Sequence, residues 1–345
     1  MELQEQYGMR TKPHGQKTIF DEWVEQRIKH NRTSILEECS QYIDFEIFRP
    51  TLEKMSVDSG YGPRFFDRVL LFKVILLEKW YNLSDPEVEA QIYDRLSFRR
   101  FLCLSLHDEI PDESTICRFR QALEESGSYE WLFEVLNREL EARHVKVKSG
   151  TLVDATFVEA PKGKRKNGEK TDPDADYGHK GHGYSMHTNV GKVDKLIHEV
   201  EVSSARPHDS QHFDDVLIGN ETEVWADSAY RSEEREKQLE EADIKSQVNE
   251  KAQRNKPLSE TQKAANREKS KVRARVEHCY AQIKVHHGFS RTRYYGIKAN
   301  RCDAFCHAIA YNFRRGVFLL KQQVHNTLQD MKKALILPEV WETCA

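Results

Sequence analysis

Thr151-Leu152-Val153-Asp154-Ala155-Thr156-Phe157-Val158 is the stretch on which the fold turns. It is apolar and β-branched except for one carboxylate at its middle, so it reads as a buried strand. Side chains alternate across a strand, which puts Asp154 on one face with Leu152, Thr156 and Val158. A charge there is costly unless it is paired or binds a metal. Downstream, residues 162–183 are rich in Lys, Asp and Gly and read as a long loop. Tyr184 to Val190 and Leu196 to Val202 read as strands joined by a turn at 191–195. Asp209 to Leu217 reads as helix, and Glu223 to Ala226 as a short strand ending at Asp227. Arg231 to Ala242 is expected to be helix and Ile244 to Val248 strand, followed by helices over Ala264 to Val285 and Asn300 to Leu320. Three strands in succession, then alternating helices and strands, predict an α/β domain whose mixed sheet carries helices on both faces.

Upstream of this strand the pattern is helical. Residues 1–60 are charged and capped. Phe66, Val69, Leu70, Phe72, Val74, Ile75, Leu76 and Leu77 make an apolar face broad enough for a buried helix. Ser84-Asp85-Pro86-Glu87 is a capping box with proline in the first turn. Another helix starts at Asp112, with Arg118 and Arg120 following and Leu123 and Trp131 as expected apolar anchors. Short helices and tight turns fit a helix-turn-helix module contacting DNA through Arg118 and Arg120, and they fit an ordinary helical bundle as well. The expected division is a helical domain over 1–148, the α/β domain over 149–325 and a tail over 326–345.

Composition narrows the class. Of 345 residues, 38% are apolar and 32% charged, and no run approaches the ~18–20 apolar residues of a membrane span. The polar N-terminus shows no signal peptide, and seven cysteines without dense, even spacing point to reduced thiols and a cytoplasmic protein. The net charge of −3 hides an asymmetry. Lys245 to Arg315 holds 17 Lys and Arg against 5 Asp and Glu. Such a surplus on one face attracts polyanions, nucleic acid first among them.

Two aspartates at strands, Asp154 and Asp227, are unremarkable singly. A third carboxylate changes the balance. Arg273, Glu277 and Lys284 stand at i−4, i and i+7 on the helix bearing Val272, Val276, Tyr280 and Ile283. Glu277 between two cations and beside a core face makes better sense as a ligand for a metal that meets phosphate than as an ion pair worth ~0.2–0.5 kcal/mol.

Asp154 in Val-Asp-Ala-Thr, Asp227 in Ala-Asp-Ser-Ala-Tyr, and Arg273-x3-Glu277-x6-Lys284 resemble the DDE transposases of bacterial insertion sequences, most of all the insertion-sequence-five family. Gly288-Phe289, Arg293-Tyr294 and Gly296 repeat that family's C-terminal signature, and Ala205-Arg206-Pro207-His208-Asp209 resembles its segment between the two aspartates. Two departures bear on DNA contacts: Ser270 stands where the signature often has tyrosine, and Ser185 where many relatives have lysine. The resemblance implies a ribonuclease-H-like core with Asp154, Asp227 and Glu277 as catalytic metal ligands. It also implies two Mg²⁺ or Mn²⁺ ions, and double-stranded DNA (terminal inverted repeats and target) as partner in a homodimeric or larger synaptic complex. Arg273, Lys284 and Arg293 are then expected at phosphates. A non-catalytic DNA-binding descendant and a structure-selective nuclease are the alternatives.

Other constellations fail. Asp172-x-Asp174-x-Asp176 starts like a calcium loop, but Tyr177 stands where Gly is demanded and Gly183 where Glu is, so it reads as solvated loop. Cys302-x3-Cys306-His307 lies in an apolar helix pattern and reads as core thiols. His286-His287 reads as a DNA contact or a helix-end surface pair.

Overall fold

The computed structural model describes residues 34–55, 66–147, 150–163, 169–252 and 257–336, so the expectations for residues 1–33 and 56–65 lie outside it. The helical part opens with α1 (Ile35–Tyr42) and α2 (Arg49–Glu53). The expected buried helix is α3 (Arg68–Tyr81), started by the Asp67 carboxylate on two backbone N–H groups and stopped by Asn82 in the left-handed region. At α4 (Asp85–Asp94) the Glu87 carboxylate accepts from the Ser84 N–H, closing the predicted capping box. Next come α5 (Leu96–Phe101), α6 (Glu113–Ser126), capped by Asp112, and α7 (Ser128–Ala142). Leu123 is buried as expected, but Trp131 is 59% exposed and anchors nothing in the core.

The sheet follows. β1 (Thr151–Glu159) runs antiparallel to β3 (Gly181–Gly191) over its whole length, and β3 pairs antiparallel with β4 (Ile197–Ser204). On the other side β1 pairs parallel with β5 (Glu223–Trp225), and β5 parallel with β6 (Lys245–Ser246). The order is therefore β4-β3-β1-β5-β6. The sequence reading of 162–183 as loop missed a three-residue strand, β2 (Asp176–Gly178), which folds back on the start of β3. Gly178 permits this, because a Cβ there would strike the Ala205 carbonyl. The expected helix over 209–217 is instead two 3₁₀ turns, Asp209–His212 and Asp214–Val216.

Alternation on β1 divides two cores. Leu152 and Val158 face a large core shared with the helices upstream, while Val153 faces a smaller one with Phe213, Val224, Tyr230 and Leu239. Leu239 comes from α8 (Glu233–Glu241), so both faces are covered. On the large-core side lie α9 (Glu260–Ala281) and α10 (Ile297–Ile336). The helix α10 runs well past residue 325. Its Phe313 stacks on Phe45 at 5.0 Å between centroids, and its Ala310 carbonyl accepts from the Trp80 indole at 2.8 Å.

Candidate active site

The stripe Val276, Cys279, Tyr280 and Ile283 seats α9 on the sheet. Its depth is fixed by the Tyr280 hydroxyl, 2.7 Å from the Thr188 hydroxyl, and Thr188 is the cross-strand partner of Asp154. The helix therefore lies along the face that carries Asp154. Asp227 follows β5, the parallel neighbour of β1, and one of its carboxylate oxygens accepts from the Ser228 N–H at 2.6 Å. The other faces α9. One atom joins the two aspartates: Arg273 Nη1 lies 3.8 Å from Asp154 Oδ1 and 3.8 Å from Asp227 Oδ2.

Burial raises the Asp154 carboxyl above its usual range, and the Arg273 guanidinium works against that. Tyr230, behind them, is held firmly as the neutral phenol by burial and by the charges of Asp154, Asp209 and Asp227. Its hydroxyl is buried without a hydrogen-bond partner among the described residues. Sequence reading did not single out Tyr230; the signal was its place three residues after Asp227 in Ala-Asp-Ser-Ala-Tyr.

Glu277 sits one turn beyond Arg273, exposed, and no hydrogen bond or ion pair joins its carboxylate to a described residue. Among the described residues no three His, Cys, Asp or Glu side chains converge closely enough to hold a metal. The two aspartates are thus brought together at Arg273, and Glu277 lies one turn further along α9 without joining them. Lys284 departs from the expected stripe. The end of α9 widens into a π-turn over Gln282–His286, which rotates Lys284 onto β1, where Nζ donates to the Phe157 carbonyl at 2.7 Å.

The other expected DNA contacts are placed differently. Arg120 is buried and forks onto Glu78 and Asp85 at 2.8 and 2.6 Å, so it is not the exposed cation the helix pattern suggested. Arg118 is exposed and hydrogen-bonds back along α6 to the Ser114 carbonyl. Arg293 donates to the Leu83 carbonyl and the Asn82 side chain, tying the segment before α10 to the end of α3. The acidic loop is no solvated loop: Asp172 is 1% exposed and accepts from the Tyr184 hydroxyl and the Gly296 N–H, and Asp174 accepts from the Ile297 N–H at the start of α10. His287 is also buried, against the His307 ring, whereas Cys302 and Cys306 are core thiols as read.

Residues 146–313, which hold both aspartates, Arg273 and Glu277, match the family described as Transposase DDE domain, and residues 22–122 match Transposase domain (DUF772). The chain is a DDE transposase. No solved structure matches it. The first match spans the sheet, α8, α9 and the first part of α10 of the transposase, and the second takes in the helices from α1 into α6. DDE transposases act on DNA with divalent metal ions. The donors fit such an ion: Asp154 and Asp227 offer only oxygen, converge on one point, and already hold a cation there. Among the described residues no helix is long and apolar enough to cross a membrane.

Proposed function

We propose that this transposase, of insertion-sequence-five type, binds the terminal inverted repeats of its element and hydrolyses a phosphodiester at each end. It then joins the freed 3′-hydroxyl to target DNA at the same site. Asp154, Asp227 and Glu277 are the proposed ligands of two Mg²⁺ or Mn²⁺ ions on a ribonuclease-H-like core. The observation that carries this is the meeting of Asp154 and Asp227 at one cation, with α9 and its Glu277 laid across the same sheet face. The strand order and the parallel pairing of β1 with β5 support the core assignment. Bound ions supply charge neutralisation and an activated oxygen nucleophile for in-line displacement. The protein's part is to hold the carboxylates. Asp154 is fixed mid-strand, Asp227 is anchored by the Ser228 N–H, and Glu277 is carried on α9 one turn from Arg273. No protein nucleophile is needed.

The test is single-turnover reaction on a duplex carrying the element end, recovered from DNA flanking the coding region. Cleavage followed by joining to a target supports the reading. Cleavage without joining would indicate a nuclease, and specific binding without cleavage in Mg²⁺ or Mn²⁺ a non-catalytic descendant; either overturns it.

A further inference from the structure

We infer that Arg273 is a resting counter-cation that occupies the metal position, and that DNA phosphate draws it out, so that metal and DNA bind cooperatively through one side chain. This rests on the metal-ligand reading of Asp154 and Asp227. Three observations carry it. Nη1 of Arg273 stands at the one point both carboxylates face, 3.8 Å from each. A cation held there and a divalent ion shared by the same oxygens exclude each other, by volume and by like charge.

The seat is also a poor one. At 3.8 Å neither contact is a hydrogen bond, and Arg273 Nε is buried with no hydrogen-bond partner among the described residues. The guanidinium therefore gives up little hydrogen bonding when it leaves, and a phosphate offers it two parallel N–H···O bonds that the aspartates do not. Finally, the aspartates need a cation. Asp154 lies mid-strand with 21% of its side chain exposed, so losing Arg273 without replacement leaves two carboxylates facing each other. The exchange of guanidinium for metal keeps the charge of the site compensated throughout, and it keeps the metal position closed until DNA is present.

Linkage makes the claim measurable, because each ligand must raise the other's affinity by the same factor. Full-length protein is titrated with Mn²⁺ by calorimetry without DNA, as wild type, Arg273→Gln, Arg273→Lys and Asp154→Asn. Arg273→Gln should bind Mn²⁺ about tenfold tighter than wild type, the scale of an ordinary coupling between two ligands. Arg273→Lys, which keeps a cation, should stay near wild type. Duplex affinity with and without Ca²⁺, which here replaces the catalytic ion, should show coupling that shrinks in Arg273→Gln. If Arg273→Gln melts too low for titration, its melting temperature should rise with Mn²⁺ by more than that of wild type. Equal or weaker Mn²⁺ binding by Arg273→Gln, or an equal or smaller Mn²⁺-induced rise in melting temperature, overturns the inference. The underlying reading fails separately, if Asp154→Asn leaves Mn²⁺ affinity unchanged.

Discussion

Asp154 and Asp227 are 73 residues apart in the chain, and they meet because β1 and β5 are parallel neighbours. Each is expected to be indispensable. Asp154→Asn, Asp227→Asn and Glu277→Gln keep shape and remove one anionic ligand. Strand transfer on a labelled end duplex should fall more than about a hundredfold, beyond the 10–100-fold that outer-shell changes cost, with duplex binding and melting cooperativity retained. A variant near wild-type activity would remove that residue from the triad. At the same scale, two glycines separate backbone from packing. Gly288 has φ +73° and an added Cβ would collide with the Asn82 side chain, whereas Gly127 has φ +65° with nothing within 4 Å. Gly127→Ala should cost about 1–2 kcal/mol by the left-handed backbone alone. Gly288→Ala should cost clearly more in denaturant unfolding, because it also pushes Asn82 away from Arg293. Equal costs would mean that this contact does not fasten α3 to the segment before α10.

Strand β3 carries a titrating group that the catalytic reading does not use. His187 faces away from Asp154, with Nε2 2.9 Å from the Ser203 hydroxyl and its ring 4.6 Å from that of His212. Burial, aided by His212, pushes its pKa down to about 4. An unfolded histidine takes up its proton near 6.5, so between these values the unfolded chain binds more protons than the folded one. The stability tied to His187 is thus complete above about pH 6.5 and is lost as pH falls toward 4, by roughly 3 kcal/mol at full titration. His187→Gln, which can still bond Ser203, should flatten the acid limb of a stability–pH curve measured in urea. An unchanged limb would mean that other groups set it. The 3₁₀ turns and β2 show why these elements were misread: their hydrogen bonds are short-range and their side-chain periodicity too brief to register.

The helical and sheet parts of the molecule share one core. Lys79 of α3 and Asp303 of α10 pair at 2.5 Å, both nearly fully buried, and Tyr294 lies between this pair and Arg120. A division at residue 148 therefore strips the helical part of α10, and a fragment of residues 1–148 should show neither cooperative melting nor specific DNA binding. A sharp transition in that fragment would establish an autonomous domain. Asp303→Asn leaves the Lys79 ammonium buried without its counter-charge and should cost about 3–5 kcal/mol, largely recovered in the double variant with Lys79→Met. The charge surplus also takes shape at this scale. Lys263, Arg267, Lys271 and Arg275 follow at four-residue spacing on the exposed side of α9. Neutralising Arg267 should lower the log–log salt slope of duplex binding by about 0.9, for cognate and scrambled DNA alike. An unchanged slope would return this stripe to ordinary surface charge.

Local patterns were enough to place β1, the capped helices α4 and α6, the buried face of α3 and the short strand that leads to Asp227, because caps, alternation and apolar stripes act over a few residues. They could not show what a charged side chain meets. Arg118 and Arg120 look alike in the chain, yet one reaches solvent and the other lies beneath Tyr294 between two carboxylates. Lys284 counts as one stripe with Glu277 until a π-turn rotates it onto the Phe157 carbonyl. Arg273 reads as a neighbour of Glu277 and proves to face two aspartates from other elements. In each case the partner is distant in sequence, and the choice between water, carbonyl and carboxylate is made only when helix and sheet pack and the charge must be compensated where it has been buried.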